Sequence, residues 1–81
     1  MGDRKAAIEF YNNAVTAAND KTQPTHLQHA YQLFSSAVAV DPGFGLAWYQ
    51  IGNNNNDLGC IPAAIAAWRR ALTCDLEGDM R

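Results

Sequence analysis

The sequence predicts an all-α fold: two antiparallel helix-turn-helix hairpins, four helices in all, stacked as a short right-handed α-solenoid. Apolar residues recur at intervals of three and four, which is the spacing of an amphipathic helix. Segments rich in Asn, Asp, Gly and Pro divide these stretches into four. Chemically matched residues also recur 34 positions apart, which indicates a repeated helical hairpin. The matched pairs are Ala30/Ala64, Phe34/Trp68, Ala37/Ala71, Val38/Leu72 and Asp41/Asp75.

The first hairpin is predicted to contain helices on either side of a polar loop. Its first helix runs from Asp3 to Asn19, and the segment up to Pro24 interrupts the apolar period. Thr25 and Gln28 have the spacing of a capping box, which predicts the start of the second helix. Asp41-Pro42-Gly43 ends that helix, because proline disfavours helical geometry in the residue before it.

The second hairpin follows the same plan. Its first helix is predicted from Gly45 to Leu58, and Gly59 supplies the stop. The next helix starts near Ile61, since Pro62 is tolerated in a first turn, and should end at Glu77-Gly78-Asp79. We place the domain at residues 1–81, with one repeat at 3–42 and the other at 43–78.

Composition narrows the functional classes. The chain has 81 residues, 48% of them hydrophobic and 17% charged, with a formal net charge of -2. These values indicate a folded domain without the basic surface of a nucleic-acid-binding protein. No apolar run reaches the ~18 residues of a membrane span, and Met1 to Phe10 lacks the apolar centre of a signal peptide. We therefore expect a cytoplasmic protein with no nucleic acid or membrane partner.

Cysteine and histidine do not indicate a disulfide, a metal site or a catalytic centre. Cys60 and Cys74 are 14 positions apart, which on a helix is about 20 Å, too far for a disulfide. His26 and His29 share a helix face, but no third ligand near them completes a zinc site. Phosphate-binding and nucleophile motifs are also missing from the sequence. We expect no enzyme activity, no cofactor and no metal.

The second half of the chain carries the residues of a known pattern, W-x2-L-G-x2-Y followed by A-x3-F and P. The residues that carry it are Trp48, Ile51, Gly52, Ala64 and Trp68. In these the chain resembles the tetratricopeptide repeat (TPR) family, and residues 45–78 are closest to its pattern. It departs from the pattern at Asn55, where the family has Tyr, and at Leu76, where it has Pro. The first helix aligns with the third at an offset of 37, with Tyr11 on Trp48.

The resemblance implies a protein-protein interaction module whose first helices line a concave groove for an extended peptide or a partner helix. The groove positions expected from the register are Glu9, Asn12, Thr16 and Asn19 in the first helix and Leu46, Tyr49, Asn53 and Asn56 in the third. Their amides suit a peptide backbone, although simple solvation explains them equally well. Since these positions carry no positive charge, we expect neutral or mildly basic peptides to bind better than acidic tails.

The inward-facing positions have a structural interpretation. We expect Phe34, Trp48 and Trp68 to fill the space between helix pairs, with Trp68 buried between the second and fourth helices. Asn55 is expected to face inward and to make a buried hydrogen bond to a neighbouring helix. Arg70 is expected on the outer face, where its removal should change stability by less than about 0.5 kcal/mol.

A second function stays open, namely a self-assembling structural element. Ile65, Leu72 and Leu76 form an apolar side of the fourth helix that a second copy could cover, giving a homo-oligomer such as a dimer. Helix exchange through the loop from Asp20 to Pro24 is a further route to a dimer. The chain also resembles repeats in larger proteins, including those that precede glycosyltransferase domains, so it could be part of a longer array attached to an enzyme.

Overall fold

The computed structural model describes residues 3–74, and every regular element among them is a helix. The four helices are α1 (Arg4–Asn19), α2 (His26–Val40), α3 (Gly45–Asp57) and α4 (Ile61–Leu72). α1 packs against α2 and α3 against α4, and the two hairpins meet mainly through α2 and α3. The predicted all-α fold of two stacked hairpins is confirmed.

Most helix boundaries agree with the sequence, and each has a local cause. The Asp3 carboxylate accepts a hydrogen bond from the Ala6 N–H at 3.0 Å and so caps the start of α1. Gly59 has a φ of 83°, the left-handed geometry that lets glycine terminate α3.

The capping box predicted at the start of α2 is wrong. Thr25 does occupy the N-cap position, but its side chain makes no capping hydrogen bond. The turn before it is held by backbone bonds instead, because the His26 N–H donates to the Gln23 carbonyl at 3.2 Å. Gln28 lies exposed on the helix surface.

The predicted end of α4 is also wrong, since the helix ends at Leu72. The Thr73 hydroxyl donates to the Arg70 carbonyl at 2.7 Å, and the Cys74 N–H donates to the Ala71 carbonyl at 3.1 Å. These bonds satisfy carbonyls that a longer helix would use. Glu77, Gly78 and Asp79, the predicted stop, lie outside the described residues.

The loop between α2 and α3 ties the start of α1 to the second hairpin. Asp41 is buried and forms an ion pair with Arg4. The Arg4 guanidinium also lies 4.7 Å from the centroid of the Phe44 ring. The Asp3 N–H donates to the Val40 carbonyl at 2.9 Å. These contacts hold α1 beside the first turn of α3.

The core consists mainly of small side chains. The alanines that recur at the 34-residue spacing are all buried, namely Ala30, Ala37, Ala64 and Ala71, and so is Gly52. Phe34, 2% exposed, packs in one cluster with residues of all the other helices, so its predicted place between the hairpins is confirmed. Small residues allow the helix backbones to approach closely while Phe34 fills the remaining space.

Trp68 does not lie between the second and fourth helices as predicted. Its indole packs within the second hairpin, over Gly52 of α3, and the side chain is half-buried. A Cβ at Gly52 would lie 2.8 Å from Trp68 Cγ and closer still to other indole atoms. The absence of a side chain at Gly52 therefore creates the space that the indole occupies.

Candidate functional site

The predicted groove positions lie on the solvent-facing sides of α1 and α3. The α1 positions Glu9, Asn12, Thr16 and Asn19 are all exposed, as are Tyr49 and Asn56 in α3, whereas Leu46 and Asn53 are half-buried. The two helices are neighbours at this surface, since the Gln50 amide donates to the Tyr11 hydroxyl at 3.4 Å. Tyr11 also packs against Phe44, with ring centroids 5.5 Å apart.

Two of these positions, Asn19 and Asn53, line one cleft of about 330 Å³. The cleft lies where the end of α1, the start of α2 and the end of α3 meet. Its other lining residues are Ala18, Lys21, His26, Leu27, Phe34, Gln50, Asn54 and Asp57. The cleft therefore contains one predicted groove position from α1 and one from α3, whereas Thr16 lines a different cavity.

Lys21 and Asp57 are cleft residues that sequence reasoning missed. Lys21 belongs to the loop after α1, where helical register assigns no face, and Asp57 is the last residue of α3. The predicted groove positions carry no positive charge, but the cleft that two of them line also includes one cation, Lys21, and one carboxylate, Asp57. The pair leaves the cleft without a strong net charge.

The asparagine run at 53–56 divides between structural and exposed roles. Asn54 is 4% exposed, and its amide donates to the Leu27 carbonyl of α2 at 2.8 Å. The hydrogen bond to a neighbouring helix that was expected of Asn55 is thus made by Asn54. Asn53 Oδ1 accepts from the Trp68 indole N–H at 3.2 Å. Asn55 is buried as predicted, and Asn56 is exposed.

A second cavity, of about 650 Å³, lies between α1 and α2 near their connecting loop. It is lined by Asn13, Thr16, Ala17, Asp20, Gln23, Thr25, His26, His29 and Leu33. His29 is exposed, whereas half-buried His26 has its Nδ1 2.9 Å from the Gln23 carbonyl oxygen. Within residues 3–74, no cluster of three or more His, Cys, Asp or Glu side chains is arranged to hold a metal ion.

One side of α4 exposes large apolar side chains. Ile61, Ile65 and Leu72 are 46%, 41% and 79% exposed. Leu76, the third residue of the predicted self-association surface, lies outside the described residues. We call Ile61, Ile65 and Leu72 the tail face.

The opposite edge of α4 carries a polar and aromatic contact. Trp48 is half-buried, and its indole N–H donates to the Pro42 carbonyl at 2.8 Å. The guanidinium of Arg70 lies 5.1 Å from the centroid of the Trp48 ring. Arg70 is exposed, in agreement with the sequence, but it has a packing partner that the sequence did not indicate. Cys60 and Cys74 are free thiols.

None of the helices described between residues 3 and 74 is both long and apolar enough to cross a membrane. Comparison of the chain with protein-family models, curated proteins and solved structures found no match.

Proposed function

We propose that this protein is a TPR-like protein-protein interaction module that holds an extended peptide across the solvent-facing sides of α1 and α3. The observation that carries the proposal is the shared cleft of Asn19 and Asn53, one from each predicted stripe. Clefts of a few hundred Å³ are large enough to take one or two side chains of a bound segment.

The chemistry of the cleft favours a peptide backbone. The amides of Asn19 and Gln50 offer both donors and acceptors at its wall. Ala18 and Leu27 add apolar surface, which suits a small or aliphatic side chain of the ligand. The site therefore combines sequence-independent backbone contacts with a modest apolar pocket.

The charged residues of the cleft determine which peptides it should prefer. Lys21 and Asp57 lie on the same cleft and oppose each other in sign, so a strongly acidic tail gains little there. We expect neutral or mildly basic segments to bind best, with weak salt dependence.

A peptide array containing neutral, basic and acidic extended segments tests the charge preference. Enrichment of neutral or mildly basic peptides is the expected result. Selection of peptides that end in acidic runs would contradict it.

Substitution then tests the location of the site. Asn19→Ala should weaken binding of a selected peptide about three- to tenfold, because it removes one hydrogen-bonding group worth about 0.5–1.5 kcal/mol. Gln32→Ala is the matched control, since Gln32 is exposed on α2 away from the cleft. Isothermal titration calorimetry gives both affinities. Equal affinities for the Asn19→Ala variant and the unsubstituted protein would place the peptide elsewhere.

A further inference from the structure

The two ends of the hairpin stack have different surfaces, and this difference does not depend on the peptide cleft. At one end lies the tail face of α4. At the other lies the 650 Å³ cavity between α1 and α2, whose lining residues all fall within 13–33. We call the side of the first hairpin around Asn13, Ala17, His29 and Leu33 the head face.

Two of the three tail-face residues, Ile61 and Leu72, repeat positions that are covered elsewhere in the same chain. The third, Ile65, corresponds to Tyr31, which is itself 40% exposed. At the 34-residue offset, Ile61 corresponds to Leu27 of α2 and Leu72 corresponds to Val38. Leu27 and Val38 are half-buried on the side of α2 where α3 packs. Ile61 and Leu72, in contrast, are 46% and 79% exposed. The chain thus shows which kind of element covers such a face: the first helix of a hairpin.

The α1 residues of the head face correspond to the α3 residues that face α2. At the 37-residue offset that aligns α1 with α3, Ala17 corresponds to Asn54 and Asn13 to Gln50. Asn54 is the α3 residue that bonds to α2. The head-face residues of α1 therefore occupy the positions that, in α3, lie on the side facing α2.

Helical geometry places the head face away from α3. Asn13 and Ala18 are roughly 140° apart on α1 at 100° per residue, and Ala18 lines the cleft shared with α3. On α2, His29 lies roughly 160° from Leu27, whose carbonyl accepts the bond from α3. The head and tail faces are therefore on opposite ends of the stack.

Each face has one charged residue beside it. Arg69 is exposed on α4, four residues after Ile65 and three before Leu72. Asp20 lines the head cavity. At the same 37-residue offset, Asp20 corresponds to Asp57, which shares a cleft with Leu27, the counterpart of Ile61. The two charges would therefore lie about 12 Å apart along α4, so the shared register, and not a charge pair, defines the contact.

We infer that the tail face of one copy of this chain binds the head face of a second copy, so that the hairpin stack continues from molecule to molecule. Such a contact is heterologous, since two different surfaces meet, and it extends into a linear array instead of closing at a dimer. This differs from a two-fold pairing of two α4 helices, in which identical surfaces meet.

The first test is the concentration dependence of mass by sedimentation velocity or light scattering, from micromolar to millimolar protein. A head-to-tail array gives an average mass that keeps rising with concentration. A mass that stays at the monomer over the whole range overturns the inference, and a mass that stops at the dimer favours two-fold pairing.

The second test uses complementary variants. The tail variant carries Ile61→Lys and Leu72→Lys, and the head variant carries Asn13→Lys and His29→Lys. Each alone should be monomeric. An equimolar mixture should give dimers and nothing larger, because the intact head of one variant binds the intact tail of the other. Head variants that still associate alone overturn the inference.

A matched control carries Ala39→Lys and Ala66→Lys, two exposed positions outside both faces. It should associate like the unsubstituted protein, which separates the effect of location from that of added charge. Circular dichroism checks the helix content of each variant, and serine replaces lysine wherever lysine unfolds the chain. These substitutions leave the Asn19 cleft intact, so failure of assembly is distinguishable from failure of peptide binding.

Discussion

Gly52 determines the position of Trp68. The indole occupies the space that a side chain at residue 52 would fill, and its N–H is satisfied by Asn53. The sequence identified Gly52 as part of the repeat pattern and Trp68 as a packing residue. It assigned the wrong neighbouring helix to Trp68, because the periodicity of α4 does not specify which adjacent helix leaves space for a large ring.

Gly52→Ala should destabilise the protein by about 1–3 kcal/mol, because the added methyl overlaps the indole. In a Trp68→Ala background the same change should become neutral or stabilising by up to ~1 kcal/mol, since alanine is the better helix former. Urea denaturation of the four proteins measures both values. Gly43→Ala is the control, because its nearest contact would be Asp41 Oδ1 at an ordinary 3.8 Å. If Gly52→Ala destabilised the protein in both backgrounds, the indole would not occupy the space beside Gly52.

Arg70 contributes more than its exposure suggests. Its guanidinium lies 5.1 Å from the centroid of the Trp48 ring, and such a contact at an exposed site is worth about 0.5–1 kcal/mol. Arg70→Ala should therefore lower the free energy of unfolding by about 0.5–1 kcal/mol, which exceeds the limit of about 0.5 kcal/mol expected from the sequence. In dilute solution, Arg69→Ala should lower the free energy of unfolding by less than Arg70→Ala does. Equal midpoints for the two variants in chemical denaturation would exclude a stabilising contact with Trp48.

At the scale of the element, α3 contains four consecutive asparagines, which are mediocre helix formers, and one of them joins the hairpins. The Asn54 amide donates to the Leu27 carbonyl, so this residue offsets its weak helix propensity with a bond between helices. Periodicity predicted the helix, and it placed Asn55 inward correctly. It could not identify Asn54 as the bonding residue, because that depends on where the first turn of α2 lies against α3.

Asn54→Ala should lower the free energy of unfolding by about 0.5–1.5 kcal/mol, since it removes the bond between helices while the Leu27 carbonyl keeps its place in the α2 hydrogen-bond ladder. Asn56→Ala should be neutral or stabilising by a few tenths, because Asn56 is exposed and alanine favours the helix. Thermal unfolding followed by circular dichroism compares the two. A larger loss for Asn56→Ala than for Asn54→Ala would be inconsistent with the observed bond.

The ends of the elements were less predictable than their centres. Asp3 and Gly59 marked their boundaries correctly, because one side-chain cap and one left-handed residue act locally. Thr25 and Glu77 did not. At Thr25 backbone bonds within the loop replace the side-chain cap, and at the end of α4 the Thr73 hydroxyl closes the helix early. Alternative local hydrogen bonds of similar strength decide such positions.

At the scale of the whole molecule, Phe34 connects the hairpins. It is 2% exposed, shares a cluster with Ala14, Ile51 and Ala67, and packs edge-on against Tyr11 at 5.6 Å between ring centroids. The sequence predicted its role because Phe34 lies between Ala30 and Ala37 on one face of α2, where a large side chain fills the space that small neighbours leave between helix pairs. The cleft was predictable only in part, since Lys21 reaches it from a loop.

Phe34→Ala should cost about 3–5 kcal/mol, against a total stability of roughly 4–12 kcal/mol for a domain of this length. The variant should therefore be largely unfolded, or unfold at much lower temperature, in a circular dichroism melt. Phe34→Leu, which retains most of the side-chain volume, should lower the free energy of unfolding by less than half as much as Phe34→Ala. A cooperative melt of Phe34→Ala near that of the unsubstituted protein would show that the hairpins do not depend on this residue.

The alanine core has a consequence for heat capacity. Within residues 3–74, the buried apolar side chains that are 0% exposed are alanines, among them Ala7, Ala14, Ala30 and Ala37. Unfolding such a core hydrates methyl groups instead of long aliphatic chains, so less apolar surface enters water per residue. The heat capacity change should then fall below the roughly 1 kcal/mol/K usual for a domain of this length. A smaller heat capacity change gives a flatter dependence of the free energy of unfolding on temperature, so stability should fall only slowly on either side of its maximum.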